Sequence, residues 1–187
     1  AYTLKHQWYV NALGTIYFGG RTPWQLQYRA GYNHRPTAFY GIGNQGTTGI
    51  GMLRSGLPFD LKRGYVDIQT RISVGGNWSV GPLFDFQHQQ TGLPDSLTAH
   101  PTSTQWGLGI VAQYDTRDRV YYPTRGLFFK AALTHYEKAL GSSARITMLH
   151  IDLRQFVPLP CDFTWAWQFR SQCALSAGDI PYPMLPG

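Results

Sequence analysis

The sequence predicts an all-β fold: an antiparallel transmembrane β-barrel, with about eight long meander strands in this chain. Two observations support it. Eight stretches of about 10 to 14 residues alternate between apolar and polar side chains, as strands do because successive side chains point to opposite faces. The composition also combines 14% charged residues with 15% aromatic residues and 21 glycines, whereas a soluble domain usually carries about 25% charged residues.

The stretches are longer than the strands of most soluble proteins, which usually run about 5 to 6 residues, and they match the roughly 9 to 11 residues of a membrane-spanning strand. In chain order they are Gln7–Phe18, Trp24–Asn33, Tyr65–Val74, Trp78–Gln89, Gln105–Asp115, Leu127–Tyr136, Arg145–Val157 and Phe163–Ala174.

Composition excludes several other classes. No apolar run approaches the roughly 18 residues that a membrane helix needs. The mean hydropathy of −0.27 does not argue against a barrel, because alternating strands average to a polar value. The net charge is +6, but the basic residues are scattered singly, so we expect no nucleic-acid binding.

The two predicted faces differ in character. In the eighth stretch, Phe163, Trp165 and Phe169 alternate with Gln168 and Arg170. Across the strands the polar face is rich in Gln and Arg and nearly lacks Lys and Glu, which favours a wet barrel lumen with lipid outside. We predict a polar lumen wall that includes Arg29, Arg71, Asp85, His150, Asp152, Arg154 and Arg170.

No catalytic site, metal site or cofactor is predicted. His88 and His135 fall on the lipid-facing register, and His150 is expected to join a lumen network rather than act in catalysis. Cys161 and Cys173 lack ligand spacing. If they lie on one strand they are too far apart for a disulfide, so we expect two free thiols.

The connections alternate in length. Short ones are expected at 19–23, 75–77, 117–126 and 158–162, longer ones at 34–64 and 91–104, and one of intermediate length at 139–144. Bacterial barrels have short periplasmic turns and longer outer loops, so we predict that the short connections lie on the periplasmic side. Ala1–His6 lacks the features of a signal peptide, and we expect a mature product or an internal segment.

One connection carries a distinctive motif, QYDTRDRVYYPTRG, at Gln113–Gly126. Its aspartates can accept backbone or Arg hydrogen bonds, its proline ends the strand ladder, and its glycine permits positive φ. The residues alone leave open an ordinary charged hairpin or a stiff structural turn. The predicted periplasmic turn consists of Asp115, Thr116, Arg117, Asp118, Pro123, Thr124, Arg125 and Gly126.

This motif, an alternating strand after it, the segment Tyr40–Asn44 (YGIGN) and the ending Gly178–Gly187 (GDIPYPMLPG) resemble the barrel of the Omp85 superfamily. That superfamily includes the BamA and TamA assembly factors and the bacterial surface antigen proteins. The resemblance implies a 16-stranded barrel of which residues 1–187 form a single partial domain, family strands 4 to 11. By the same resemblance, the sixth loop with its Arg-Gly-aromatic signature is expected to lie beyond this segment.

By resemblance, the protein is no enzyme and assists insertion or export of outer-membrane or secreted proteins in the bacterial outer membrane. The implied partners are membrane lipid, client proteins, periplasmic POTRA repeats and accessory lipoproteins, and the lumen wall would contact the folded-in loop. One alternative is a small closed eight-stranded barrel with a structural or passive transport role, and another is a soluble lipocalin-like binder. Pairing between the first and eighth strands would indicate closure.

Overall fold

The computed structural model describes residues 7–20, 23–39, 57–92, 102–160 and 163–176. They form one antiparallel sheet of eight strands, in which each strand pairs with the next in sequence. The strands are β1 Trp8–Phe18, β2 Trp24–Phe39, β3 Leu57–Gly75, β4 Trp78–Thr91, β5 Thr102–Asp115, β6 Gly126–Tyr136, β7 Ile146–Leu159 and β8 Phe163–Ser176. A 3₁₀ turn, Lys138–Leu140, follows β6. No helix in these ranges is long and apolar enough to cross a membrane.

The sheet curls into a half-barrel, and β1 and β8 are its two edges. In the described residues these strands do not pair with each other, so the expected signature of a closed eight-stranded barrel is not found. The predicted all-β meander is confirmed. An open sheet exposes unpaired N–H and C=O groups along both edges, and in lipid such groups must find partners.

The predicted long connection at 34–64 is wrong in its bounds. β2 and β3 stay in register from Trp24↔Ile72 to Phe39↔Leu57, so much of the expected loop is strand. The continuation of β2 was not recognised in the sequence because two polar residues, His34 and Arg35, are followed by Pro36. Two antiparallel strands remain paired beyond the apolar zone because their backbone groups still satisfy each other.

The two faces of the sheet differ in character, as the alternation predicted, although the largely polar concave face also buries a small apolar cluster of Leu83, Val111 and Ala132. The concave face buries polar groups such as Gln105, which is 1% exposed. The convex face leaves apolar groups uncovered, such as Ile110, which is 65% exposed. A soluble protein buries apolar surface instead, so the convex face is built for an apolar surrounding.

Aromatic side chains of the convex face gather at two levels. Trp8 and Tyr32 stack with ring centroids 5.2 Å apart at the end with the longer connections, whereas Trp78 and Tyr114 lie 5.1 Å apart at the end with the short turns. Tyr32 follows Trp24 by eight residues along β2, which is about 26 Å of extended strand. In a barrel strand tilted by about 40° this length spans roughly 20 Å of height, which is close to the separation of the aromatic girdles that border the apolar band of membrane barrels.

The ladder between β3 and β4 is interrupted at one place. Gln69 pairs with Leu83 and Ile72 with Val80, but the intervening positions do not pair. Pro82 has no N–H to donate. Gly81 lies so close to β3 that an added Cβ would be 1.8 Å from the Thr70 carbonyl oxygen, so only glycine fits.

The connection after β6 completes the hydrogen bonding of β5. The Ser142 hydroxyl accepts from the Trp106 N–H at 2.9 Å and donates to the Trp106 carbonyl at 3.0 Å. The Ser143 N–H donates to the Thr104 carbonyl at 2.8 Å, and the Thr104 N–H donates to the Ser143 hydroxyl at 3.0 Å. Two serines therefore supply hydrogen-bond partners for the backbone groups of β5 that lie beyond the end of β6.

Candidate functional site

The concave face carries the predicted wall residues on five strands. Each of them lines one of two adjoining cavities of this face, which contain Arg29, Arg71, Asp85, His150, Asp152, Arg154 and Arg170. The same cavities also contain Arg63, Asp67, Asp115, Arg117 and Lys130. Seven cationic side chains therefore face four carboxylates, and the wall is basic overall.

Asp85 is the centre of one network. The Tyr136 hydroxyl donates to its Oδ1 at 2.8 Å, and the Gln87 amide donates to the same atom at 2.8 Å. The Arg63 Nη2 donates in turn to Gln87 Oε1 at 2.9 Å. Asp67 is the cross-strand partner of Asp85. Placing two buried carboxylates side by side is unfavourable unless donors surround them.

Arg71 and Lys130 each form a bond to a strand that is not a direct neighbour of their own. The Arg71 Nη1 donates to Gln113 Oε1 on β5 at 2.7 Å, and its Nη2 donates to Gln27 Oε1 on β2 at 3.3 Å. The Lys130 Nζ on β6 donates to Gln69 Oε1 on β3 at 2.7 Å. The bonds to Gln113 and from Lys130 cross intervening strands on the concave side and brace the curvature of the wall, whereas the bond to Gln27 joins neighbouring strands.

Asp152 accepts hydrogen bonds from two side chains on β7 and β8 and forms an ion pair with a third. The Arg154 Nε donates to it at 2.9 Å and the Gln168 amide at 2.9 Å. The Arg170 Nε lies 3.5 Å from its Oδ2. Because Arg170 is largely exposed, only part of its charge is engaged by this carboxylate.

Phe128 links the wall to the motif turn. The Arg117 guanidinium carbon lies 4.5 Å from the centroid of its ring, and that of Arg154 lies 5.1 Å away. A cation over an aromatic face is stabilised by the negative charge density of the ring. Both arginines therefore contact the Phe128 ring at the short-turn end of the concave face.

The turn of the motif is fixed at its base and across its tip. At the base, Arg117 makes a two-pronged ion pair with Asp115, with Nε–Oδ1 and Nη2–Oδ2 distances of 2.9 and 2.7 Å. Across the tip, Asp118 accepts from the Thr124 hydroxyl at 2.6 Å and from the Thr124 N–H at 2.9 Å. These hydrogen bonds hold the pKa of Asp118 well below its usual range.

The end of the turn needs glycine. Gly126 has φ 112, and a Cβ there would lie 2.4 Å from the Thr116 carbonyl oxygen. The Thr116 hydroxyl accepts from the Leu127 N–H at 2.9 Å, and the Thr116 N–H donates to the Leu127 carbonyl at 2.9 Å. Pro123 precedes Thr124, and Arg125 donates its N–H to Asp118 at 3.3 Å. That this turn is periplasmic stays a prediction.

The remaining candidates are dispersed. His88 pairs with the Thr104 hydroxyl at 2.9 Å and His135 with the Thr147 hydroxyl at 2.8 Å. In the described ranges, no group of three or more His, Cys, Asp or Glu residues could hold a metal ion. Cys173 is free and exposed. Cys161, the YGIGN segment and the GDIPYPMLPG ending lie outside the described residues.

Sequence reasoning missed Lys130, Tyr136 and Phe128. All three have even numbers on β6, which places them on one face. On this strand only His135 was predicted to lie on a face, the lipid-facing one, which places even-numbered residues on the opposite face. Their shared parity was the available signal, whereas their partners on β3, β4 and β7 were not visible in the sequence.

Comparison with known proteins adds one match. The profile of the Omp85 superfamily domain matches residues 6–183, which is nearly the whole chain. A search among curated proteins gave no match.

Proposed function

The chain belongs to the Omp85 superfamily of outer-membrane β-barrel proteins, and from this premise we propose that it forms part of the wall of a BamA/TamA-like barrel that inserts or exports other proteins. Superfamily members insert or transport proteins at the outer membrane, in contact with lipid and client proteins, and do not catalyse a reaction. The observation that carries the proposal is the family match over a sheet with a basic concave face and an apolar convex face.

The open sheet supports a place inside a larger barrel. β1 and β8 each have a partner on one side only in the described sheet, so further strands are needed on both sides in lipid. We propose that residues 1–187 are one partial domain, family strands 4 to 11 of 16. The short turns all lie at one end, which we assign to the periplasm, beside POTRA repeats and accessory lipoproteins in Gram-negative cells.

The basic wall supplies the local mechanism. Arg29, Arg71, Arg154 and Arg170 face the lumen together with Asp85, His150 and Asp152. We propose that they hold the folded-in sixth loop and keep the lumen hydrated, while the turn from Asp115 to Gly126 stiffens the periplasmic rim. Arg170 is available for such contacts because most of its side chain is exposed.

Charge reversal tests this function. In cells that depend on the full-length protein, R154E and R170E should lower the yield of a folded β-barrel client, because they place like charges beside Asp152. The matched control is K138E, a reversal at an exposed position outside the wall. Unchanged client folding in a normally assembled R154E/R170E protein would contradict the proposed role of the wall. Normal client folding after depletion of the whole protein would overturn the proposed function itself.

A further inference from the structure

The tip of the motif turn exposes three consecutive apolar or aromatic residues. Val120, Tyr121 and Tyr122 are 59%, 88% and 82% exposed. Hydrogen bonds fix the conformation of the tip. Asp118 is bonded to Thr124 across it, and the Arg117 Nη1 donates to the Val120 carbonyl at 3.3 Å. Val120 lines the concave cavity, whereas Tyr121 and Tyr122 remain uncovered on a held turn, a surface suited to a partner.

The position of the tip continues an aromatic belt. Trp78 lies 5.1 Å from Tyr114 and 6.3 Å from Phe129 between ring centroids, on the convex face. Tyr114 and Phe129 are cross-strand partners next to the last pair before the turn. The tip therefore begins where the apolar band ends, at the depth where lipid headgroups replace acyl chains.

The charge around the tip matches such headgroups. Arg119 and Arg125 are exposed on either side of the tyrosines. In the described part of the chain neither guanidinium has an ion-pair partner, and the nearby carboxylate of Asp118 is bonded to Thr124. Guanidinium groups bind phosphate with two parallel hydrogen bonds, and tyrosine prefers the membrane interface because its ring is apolar and its hydroxyl is polar.

We propose that residues 119–125 bind phospholipid headgroups of the leaflet on the short-turn side of the barrel. Tyr121 and Tyr122 lie in the interface, and Arg119 and Arg125 contact lipid phosphates. This site anchors one edge of the wall to the bilayer at a fixed depth. The proposed lipid site depends on the membrane placement of the barrel and not on the handling of client proteins. An experiment can therefore disprove it without disproving the proposed function.

A spin label tests the contact in the full-length protein. In a C161S/C173S background a nitroxide is attached at Y122C, with I110C on the convex face and Q25C on the concave face as lipid and water references. In phosphatidylglycerol vesicles we expect the label at position 122 to be severalfold less accessible to a water-soluble nickel chelate than the label at position 25. R119Q/R125Q should abolish this protection, whereas K62Q/K138Q, two exposed cations at the opposite end, should leave it intact.

Two outcomes would overturn the proposal. Accessibility at position 122 equal to that at position 25 in the vesicles would place the tip in water. Equal protection in phosphate-free maltoside micelles and in vesicles, insensitive to R119Q/R125Q, would show that another part of the protein covers the tip rather than lipid phosphate.

Discussion

Tyr136 on β6 reaches over β5 and donates a hydrogen bond of 2.8 Å to Asp85 on β4. The bond is possible because Gly107 lies between them: a Cβ at that position would be 2.6 Å from Cε1 of the tyrosine ring. Three strands thus contribute one element each, namely a donor, an acceptor and an open space. This relationship shows how side chains of the concave face connect strands beyond their immediate neighbours.

The first prediction concerns this contact. G107A should displace the Tyr136 ring and break its bond to buried Asp85, lowering the free energy of unfolding by about 1–3 kcal/mol, the usual penalty for a buried polar group without its partner. Urea titration of the folded barrel in lipid vesicles measures it. G19A is the control, because nothing lies within 4 Å of a Cβ at Gly19. Equal stability of the two variants would contradict the role of Gly107.

The second prediction concerns the interrupted ladder between β3 and β4. G81A should destabilise the barrel more than G107A does, because its Cβ would meet the Thr70 carbonyl oxygen, which belongs to the backbone and cannot rotate away. The matched control is G64A, another strand glycine, where the nearest atom to a Cβ is 3.6 Å away on the flexible Tyr32 side chain. The fraction of protein that folds in vesicles is the measurement, and similar yields for both variants would disprove the argument.

The third prediction concerns the serine connection beside β5. S142A should leave both the N–H and the carbonyl of Trp106 without their hydroxyl partner, so the Trp106 amide should exchange with solvent faster by the equivalent of about 1–3 kcal/mol. Hydrogen exchange at single-residue resolution reports this locally. S79A, on β4 at the short-turn end, serves as control and should not change the exchange of Trp106. Unaltered exchange in S142A would show that the hydroxyl is dispensable.

The fourth prediction concerns acid. Because the hydrogen bonds of Thr124 depress the pKa of Asp118 in the folded protein, the carboxylate stabilises the turn above its unfolded pKa of about 3.9. That stabilisation should fade below about pH 4 and vanish only as the pH falls through the lower folded pKa. T124V removes the hydroxyl donor and should raise the pKa of Asp118 toward its ordinary value.

Carboxyl NMR of Asp118 provides the measurement for this acid response. The control is T147V, which alters a hydroxyl on β7 that pairs with His135 and lies away from the turn. An Asp118 titration unchanged between wild type and T124V would mean that the threonine does not hold the carboxylate.

The sequence by itself determined the strands, their alternation and the family. Whether Trp106 and Gln105 point to opposite faces follows from their neighbouring positions, because strand geometry is local. The motif at Gln113–Gly126 identified the turn in the same way, since proline and glycine restrict the backbone where they stand.

Only the tertiary structure decided which side chains meet. Lys130 bonds to Gln69, and both Arg117 and Arg154 contact the ring of Phe128. These contacts join parts of the chain whose spacing depends on the curl and stagger of the sheet. The full lengths of β2 and β3 likewise depend on pairing with each other, which overrides the local signal of Pro36. A single strand's sequence states which face a residue occupies, but its partner is set by register and curvature, which many residues fix together.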